Sequence, residues 1–116
     1  MSCFLFGVII LETVPEIKSH IDDFNSRLSV IASRINQRFG LSITVEPVDI
    51  VPPTRYNAYY NQYIRDVHRL MLDSLNDLSD QLQRYNLIGP VNLYFWTDWQ
   101  ALDDKLSEIE ERTKNY

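Results

Sequence analysis

Between Glu16 and Gly40 the apolar residues Ile17, Ile21, Phe24, Leu28, Ile31, Ile35 and Phe39 recur at steps of four and three. That period sets all seven on one stripe of an α-helix about six turns long, with polar residues on the opposite face. Thr13 and Glu16 have the spacing of a capping box. Pro15 fits a first turn, where a missing backbone N–H costs nothing, and Gly40 supplies a left-handed C-terminal cap. A stripe of this length has to be covered by the rest of the chain.

Phe4 to Leu11 is a short apolar run rich in β-branched and aromatic residues, which predicts a central strand buried on both faces. The run MSCFLFGVIIL is too short to span a bilayer and lacks the basic start and small-residue cleavage pattern of a signal peptide. Ser42 to Ile50 alternates Ile43, Val45 and Pro47 with Thr44 and Glu46, the pattern of a half-buried strand. Pro47 has no N–H for a central ladder, so this is read as an edge strand. Val51, Pro52 and Pro53 stop it, and Thr54 or Asn57 can cap a second helix striped by Tyr60, Ile64, Val67, Met71, Leu75, Leu78, Leu82 and Tyr85. Asn86 to Pro90 is an exit turn. Val91 to Phe95 predicts a third strand, and Thr97 with Gln100 repeats the capping spacing before a last helix that buries Leu102, Leu106 and Ile109. The polar tail, 110–116, is expected to fray.

The order β-α-β-α-β-α predicts one α/β domain over residues 1–116, with three mostly parallel strands in order 2-1-3 flanked by three helices. Composition agrees with a globular domain, at 45% hydrophobic and 23% charged residues with only three glycines. The lone Cys3 excludes an internal disulfide and multi-cysteine metal sites, and suits a reducing, cytoplasmic setting. A formal charge of -5 disfavours broad binding to a nucleic-acid backbone. Three strands leave open sheet edges, so a homodimer, or contact with another protein, is expected rather than a membrane partner.

In open parallel sheets, ligands bind beyond the carboxyl ends of the strands. Here those ends would gather Glu12, the segment Pro52 to Tyr63 (PPTRYNAYYNQY), Asp98 and Trp99 into one rim. Arg55, Tyr56, Asn57, Tyr59, Asp98 and Trp99 are therefore the candidate binding residues. Glu12 and Asp98 could hold magnesium through oxygen ligands, with Arg55 facing an anionic substrate group. Each carboxylate also has a plain structural role, Asp98 at a helix start and Glu12 at a strand end. Tyr56, Tyr59, Tyr60 and Tyr63 could stack bases beside Arg55, Arg65 and Arg69. Alternatively, Tyr60 and Tyr63 pack inside while Arg65 and Arg69 pair with Asp66 and Asp73 on a solvated helix face. Glu16, His20 and Asp23 share a helix face, and His68 borders the second apolar stripe as a packing residue. Nucleophile elbows, phosphate-cradling glycine loops and HExxH are absent from the sequence.

The pieces VPE before a long helix, RFGLSITVE, PPTRYNAYYNQY and VNLYFWTDWQ resemble the amino-terminal half of archaemetzincins, a zinc metallopeptidase family widespread in archaea. The likeness covers Ile9 to Leu102 and implies a related α/β half-domain of archaeal or viral character. The family's HExxHxxGxxH helix has no counterpart in these residues, so no catalytic or metal-binding residue carries over. The expected function is a small non-enzymatic binding or interaction module without a cofactor. The alternatives are a magnesium-dependent phosphoryl-transfer or nuclease-like enzyme using Glu12 and Asp98, and single-stranded nucleic-acid binding through residues 55–63.

Overall fold

The structure, a computed structural model, describes residues 14–52, 58–91 and 98–116. Among the described residues the regular elements are three α-helices: α1, Val14–Phe39; α2, Ala58–Arg84; and α3, Trp99–Thr113. No helix among the described residues is long and apolar enough to cross a membrane.

Each helix buries the stripe its sequence carries. In α1, Ile17, Ile21, Phe24, Leu28, Ile31 and Ile35 are all buried, and only Phe39, at the end of the stripe, is 41% exposed. In α2 the buried run is Val67, Met71, Leu75, Leu78 and Leu82, while Tyr85 lies outside the core at 48% exposure. Leu102, Leu106 and Ile109 of α3 are fully buried against them. A fully buried Leu or Ile contributes roughly 1.5–3 kcal/mol, far more than helix propensity adds per residue, so the meeting of the three stripes holds the bundle together.

The ends have identifiable stops. Gly40 sits at φ 66, and the N–H groups of Gly40 and Leu41 both return to the Asn36 carbonyl, closing α1 with a left-handed cap. Asn86 does the same for α2 at φ 59, with the Leu87 N–H reaching back to the Leu82 carbonyl. Asp98, rather than Thr97, is the N-cap of α3: its carboxylate accepts the Ala101 N–H at 2.7 Å. The tail makes defined contacts. Thr113 is buried, the Tyr116 hydroxyl donates to the Leu87 carbonyl, and the Tyr116 ring meets Phe39 edge-on.

The expected α/β fold, with three mostly parallel strands in order 2-1-3, is overturned. Among the described residues there is no strand and no sheet, and the architecture is all-helical. Phe4 to Leu11 lies outside the described residues, and so does the third expected strand beyond Val91. The intended edge strand, Ser42 to Ile50, is a strap laid along α1 and α2 with no ladder at either edge. Its backbone is satisfied by side chains. The Asn36 amide accepts the Ile43 N–H at 2.7 Å and donates to the Ile43 carbonyl at 2.9 Å. Asn25 makes the same pair of bonds to Val48, at 2.8 and 3.0 Å. From the other side, Gln81 grips Thr44 at 3.0 and 2.7 Å, and the Ser74 hydroxyl donates to the Glu46 carbonyl. A carboxamide carries one acceptor and one donor group, so it replaces a ladder partner residue for residue.

These grips fix direction. From Asn36 back to Asn25, α1 descends about 16 Å, the distance an extended chain covers between Ile43 and Val48. The strap therefore runs antiparallel to α1, and by its grips on Gln81 and then Ser74 also antiparallel to α2. It thus carries the chain back so that α2 starts beside the start of α1, and the two helices are parallel. α3 is parallel as well, since Arg27 reaches Asp103 and Glu110 whereas Arg34 reaches Thr113.

Candidate functional site

The rim at the carboxyl ends of parallel strands loses its basis with the sheet. Of the residues assigned to it, Glu12, Arg55, Tyr56 and Asn57 lie outside the described residues, and Tyr59 stands in the first turn of α2. Asp98 and Trp99 are described, and both act at the start of α3. The Asp98 carboxylate caps the helix. Trp99 is half-buried, its ring stacked on His20 at 4.6 Å and 11° and met edge-on by His68 at 4.1 Å and 78°. Offset-stacked and edge-to-face contacts of this kind each contribute about 0.5–1.5 kcal/mol beyond burial, so Trp99 pins the first turn of α3 to α1 and α2. His20, read from the sequence as part of a polar face with Glu16 and Asp23, is one side of this stack. His68, 5% exposed, is its buried edge. Among the described residues no group of three or more His, Cys, Asp or Glu side chains could hold a metal ion.

The cationic side chains expected beside the tyrosines are engaged along α2. Arg65 donates to Gln62 at 2.9 Å and Arg69 pairs with Asp66 at 3.1 Å, while Tyr63 is 5% exposed. Burial pushes the Tyr63 phenol above its ordinary pKa. Of the solvated-face alternative, the Arg69–Asp66 pair and the burial of Tyr63 are present, whereas Arg65 bonds Gln62.

Between α1 and α3 stands an ion-pair hub. Arg27 donates through Nε and Nη2 to the Glu110 carboxylate, at 3.1 and 2.6 Å, and through Nη1 to Asp103 and to Asp23. It also donates to the Ser107 hydroxyl at 3.0 Å. The bond to Glu110 raises its pKa most; burial opposes that, and the bond to Asp103 adds to it. The guanidinium is a permanently charged clamp, a structural part rather than a catalytic one.

A groove of about 650 Å³ lies between the strap and α2. Glu46 and Asp49 on the strap face Asp73 and Asp77 on α2 across it, all four exposed, with no Lys or Arg among the described lining residues. Val48 and Leu70 supply the apolar floor. Asp73 and Asp77 are one turn apart on α2, and Glu46 and Asp49 bracket Pro47, so the charges themselves were visible in the sequence. Their meeting was not, because it depends on the path of the strap. No family model matches the chain. Neither a curated protein nor a solved structure matches it either.

Proposed function

We infer that this chain is a non-enzymatic protein-interaction module whose contact face is the groove between the strap and α2, and whose partner presents an extended segment bearing Lys or Arg. The observation that supports this is the pairing of four carboxylates, without a basic neighbour among the described lining residues, beside Val48 and Leu70. Complementary charge speeds encounter and selects partners, and half-buried Leu70 leaves apolar surface for a partner to cover. The net charge of -5 acts in the same direction. Neither alternative draws support from the described residues. The Asp98 carboxylate caps a helix, and Arg65 and Arg69 are engaged with Gln62 and Asp66.

The test is calorimetric titration of the full chain with an alternating Lys-Leu decapeptide and with its Glu-Leu counterpart. The basic peptide should bind saturably, more weakly as salt rises, and the acidic one should not. Replacing Asp73 and Asp77 together by Asn should weaken binding about tenfold or more. Equal affinity in that variant, or equal affinity for the two peptides, removes the reading.

A further inference from the structure

At one end of the molecule two arginines stand apart from the other basic side chains. Arg38 lies in the last turn of α1 and Arg84 in that of α2, both are exposed, and among the described residues neither makes an ion pair or a hydrogen bond. Each other described Lys or Arg holds a carboxylate, an amide or a carbonyl, including Arg34, Arg112 and Lys114 near the same end. A basic residue in a last turn ordinarily answers the helix dipole. Here terminal carbonyls are answered by other groups: that of Asn36 by the N–H groups of Gly40 and Leu41, and those of Leu82 and Gln83 by the N–H groups of Leu87 and Asn86.

Each of the two arginines is followed by an exposed ring. Phe39 and Tyr85 continue the buried stripes of α1 and α2, four residues past Ile35 and three past Leu82, beyond the point where the core ends. The Arg38 guanidinium stands 5.5 Å from the centre of the Phe39 ring. Tyr116 links the two pairs: its ring meets Phe39 edge-on, and its hydroxyl reaches the carbonyl of Leu87, two residues beyond Tyr85. Because α1 and α2 are parallel, both pairs lie at one end, away from the start of α2 that carries Tyr59. Such a pair offers one guanidinium and one π-face, and a nucleotide within a single strand offers one phosphate and one base. Both pairs are open to solvent, as a strand laid across a surface requires, whereas a free nucleotide draws its affinity from enclosure.

We propose that this end of the bundle binds a short stretch of single-stranded nucleic acid, with Arg38 and Arg84 on two phosphates and Phe39 and Tyr85 against bases. Two cations do not make a tight backbone site, and the net charge of -5 opposes one, so the contact is weak and confined to this end. The surface is separate from the acidic groove, and neither reading depends on the other.

The test is titration of a fluorescein-labelled thymidine decamer with the full chain, read by anisotropy at a series of salt concentrations. Saturable binding is expected, with log affinity falling against log salt at a slope of about -1.4, the value for two phosphates of a single strand. Arg38→Gln and Arg84→Gln should each bring that slope about 0.7 closer to zero. Tyr85→Ala should weaken binding about tenfold and leave the slope as it is. All three side chains are exposed, so each variant should keep the helical circular dichroism of the native chain. No saturable binding, or a slope that both arginine variants leave unchanged, overturns the proposal. Adenosine monophosphate in millimolar excess should leave the decamer bound, and displacement by it overturns the strand in favour of a free nucleotide. Displacement by the Glu-Leu peptide overturns it too, because the end would then be a general anion surface suited to an acidic protein.

Discussion

Tyr63 and Trp99 sit where the sequence places aromatic chemistry, and their surroundings turn both to structural use. Burial of Tyr63 favours its neutral phenol and lifts the pKa in the folded chain above the ordinary value of about 10. The sign follows from linkage. The contribution of this group is fully present below the unfolded value and is lost as pH rises through the higher folded value. Thermal unfolding midpoints should therefore fall more steeply, as pH rises above the ordinary tyrosine value of about 10, in the native chain than in Tyr63→Phe. Parallel curves would show that the phenol is not held neutral by the fold. Trp99 was legible as an aromatic residue at a helix start. Its contacts with His20 and His68 were not, because the three rings stand on three different helices and no spacing in the chain links them.

At the scale of elements, the helices were the legible part, since a stripe of period 3.6 together with a capping residue defines a helix locally. The two C-terminal caps provide a paired test. At Gly40, φ 66 is a conformation other L-residues adopt at a cost, and an added Cβ would meet nothing within 4 Å. Gly40→Ala should thus destabilise by about 1 kcal/mol through backbone conformation alone. Asn86→Gly, at φ 59, should leave stability unchanged or raise it by a few tenths of a kcal/mol, roughly. Denaturant unfolding of both variants checks the pair, and a stabilised Gly40→Ala would contradict the cap. The strap was the illegible part. Alternation at Ile43, Val45 and Pro47 predicts one apolar side, but of these three only Ile43 is buried; Pro47 is exposed, and Val48, of the opposite register, takes the second buried seat. The same pattern is silent on which groups answer the backbone. In this molecule Asn25, Asn36 and Gln81 do so from helices, and a ladder would have matched the alternation equally well.

The molecule measures 51 × 23 × 21 Å and is elongated along helices of 26 and 27 residues, about 40 Å each, lying side by side. Short loops join antiparallel helices, so three parallel ones need connections that return the full length of the bundle. The strap is one of them, and its twelve or so extended residues span roughly the 40 Å that α1 climbs. Parallel helices also align their dipoles, which adds no attraction between them, so specific side-chain ties gain importance. Arg27 is the main tie between α1 and α3. Arg27→Ala should cost about 1–2 kcal/mol, because its carboxylate partners are partly solvated and can rehydrate. Raising salt from about 0.05 to 1 M should shrink the difference from the native chain. A cost that is independent of salt would mean that the arginine stem, rather than its charge, holds the helices.

By itself the sequence determined three amphipathic helices, their stops at Gly40 and Asn86, the extended character of the segment around Val45, and the acidic balance of the surface. Each of these depends on neighbours a few residues away or on composition alone. Only the tertiary structure decided that the extended segment pairs with side-chain amides, that Asp98 and Trp99 fasten a helix end, and that Glu46 and Asp49 come to face Asp73 and Asp77. A backbone N–H or a carboxylate is satisfied by whichever complementary group packing brings near it, and that proximity is a property of the assembled helices.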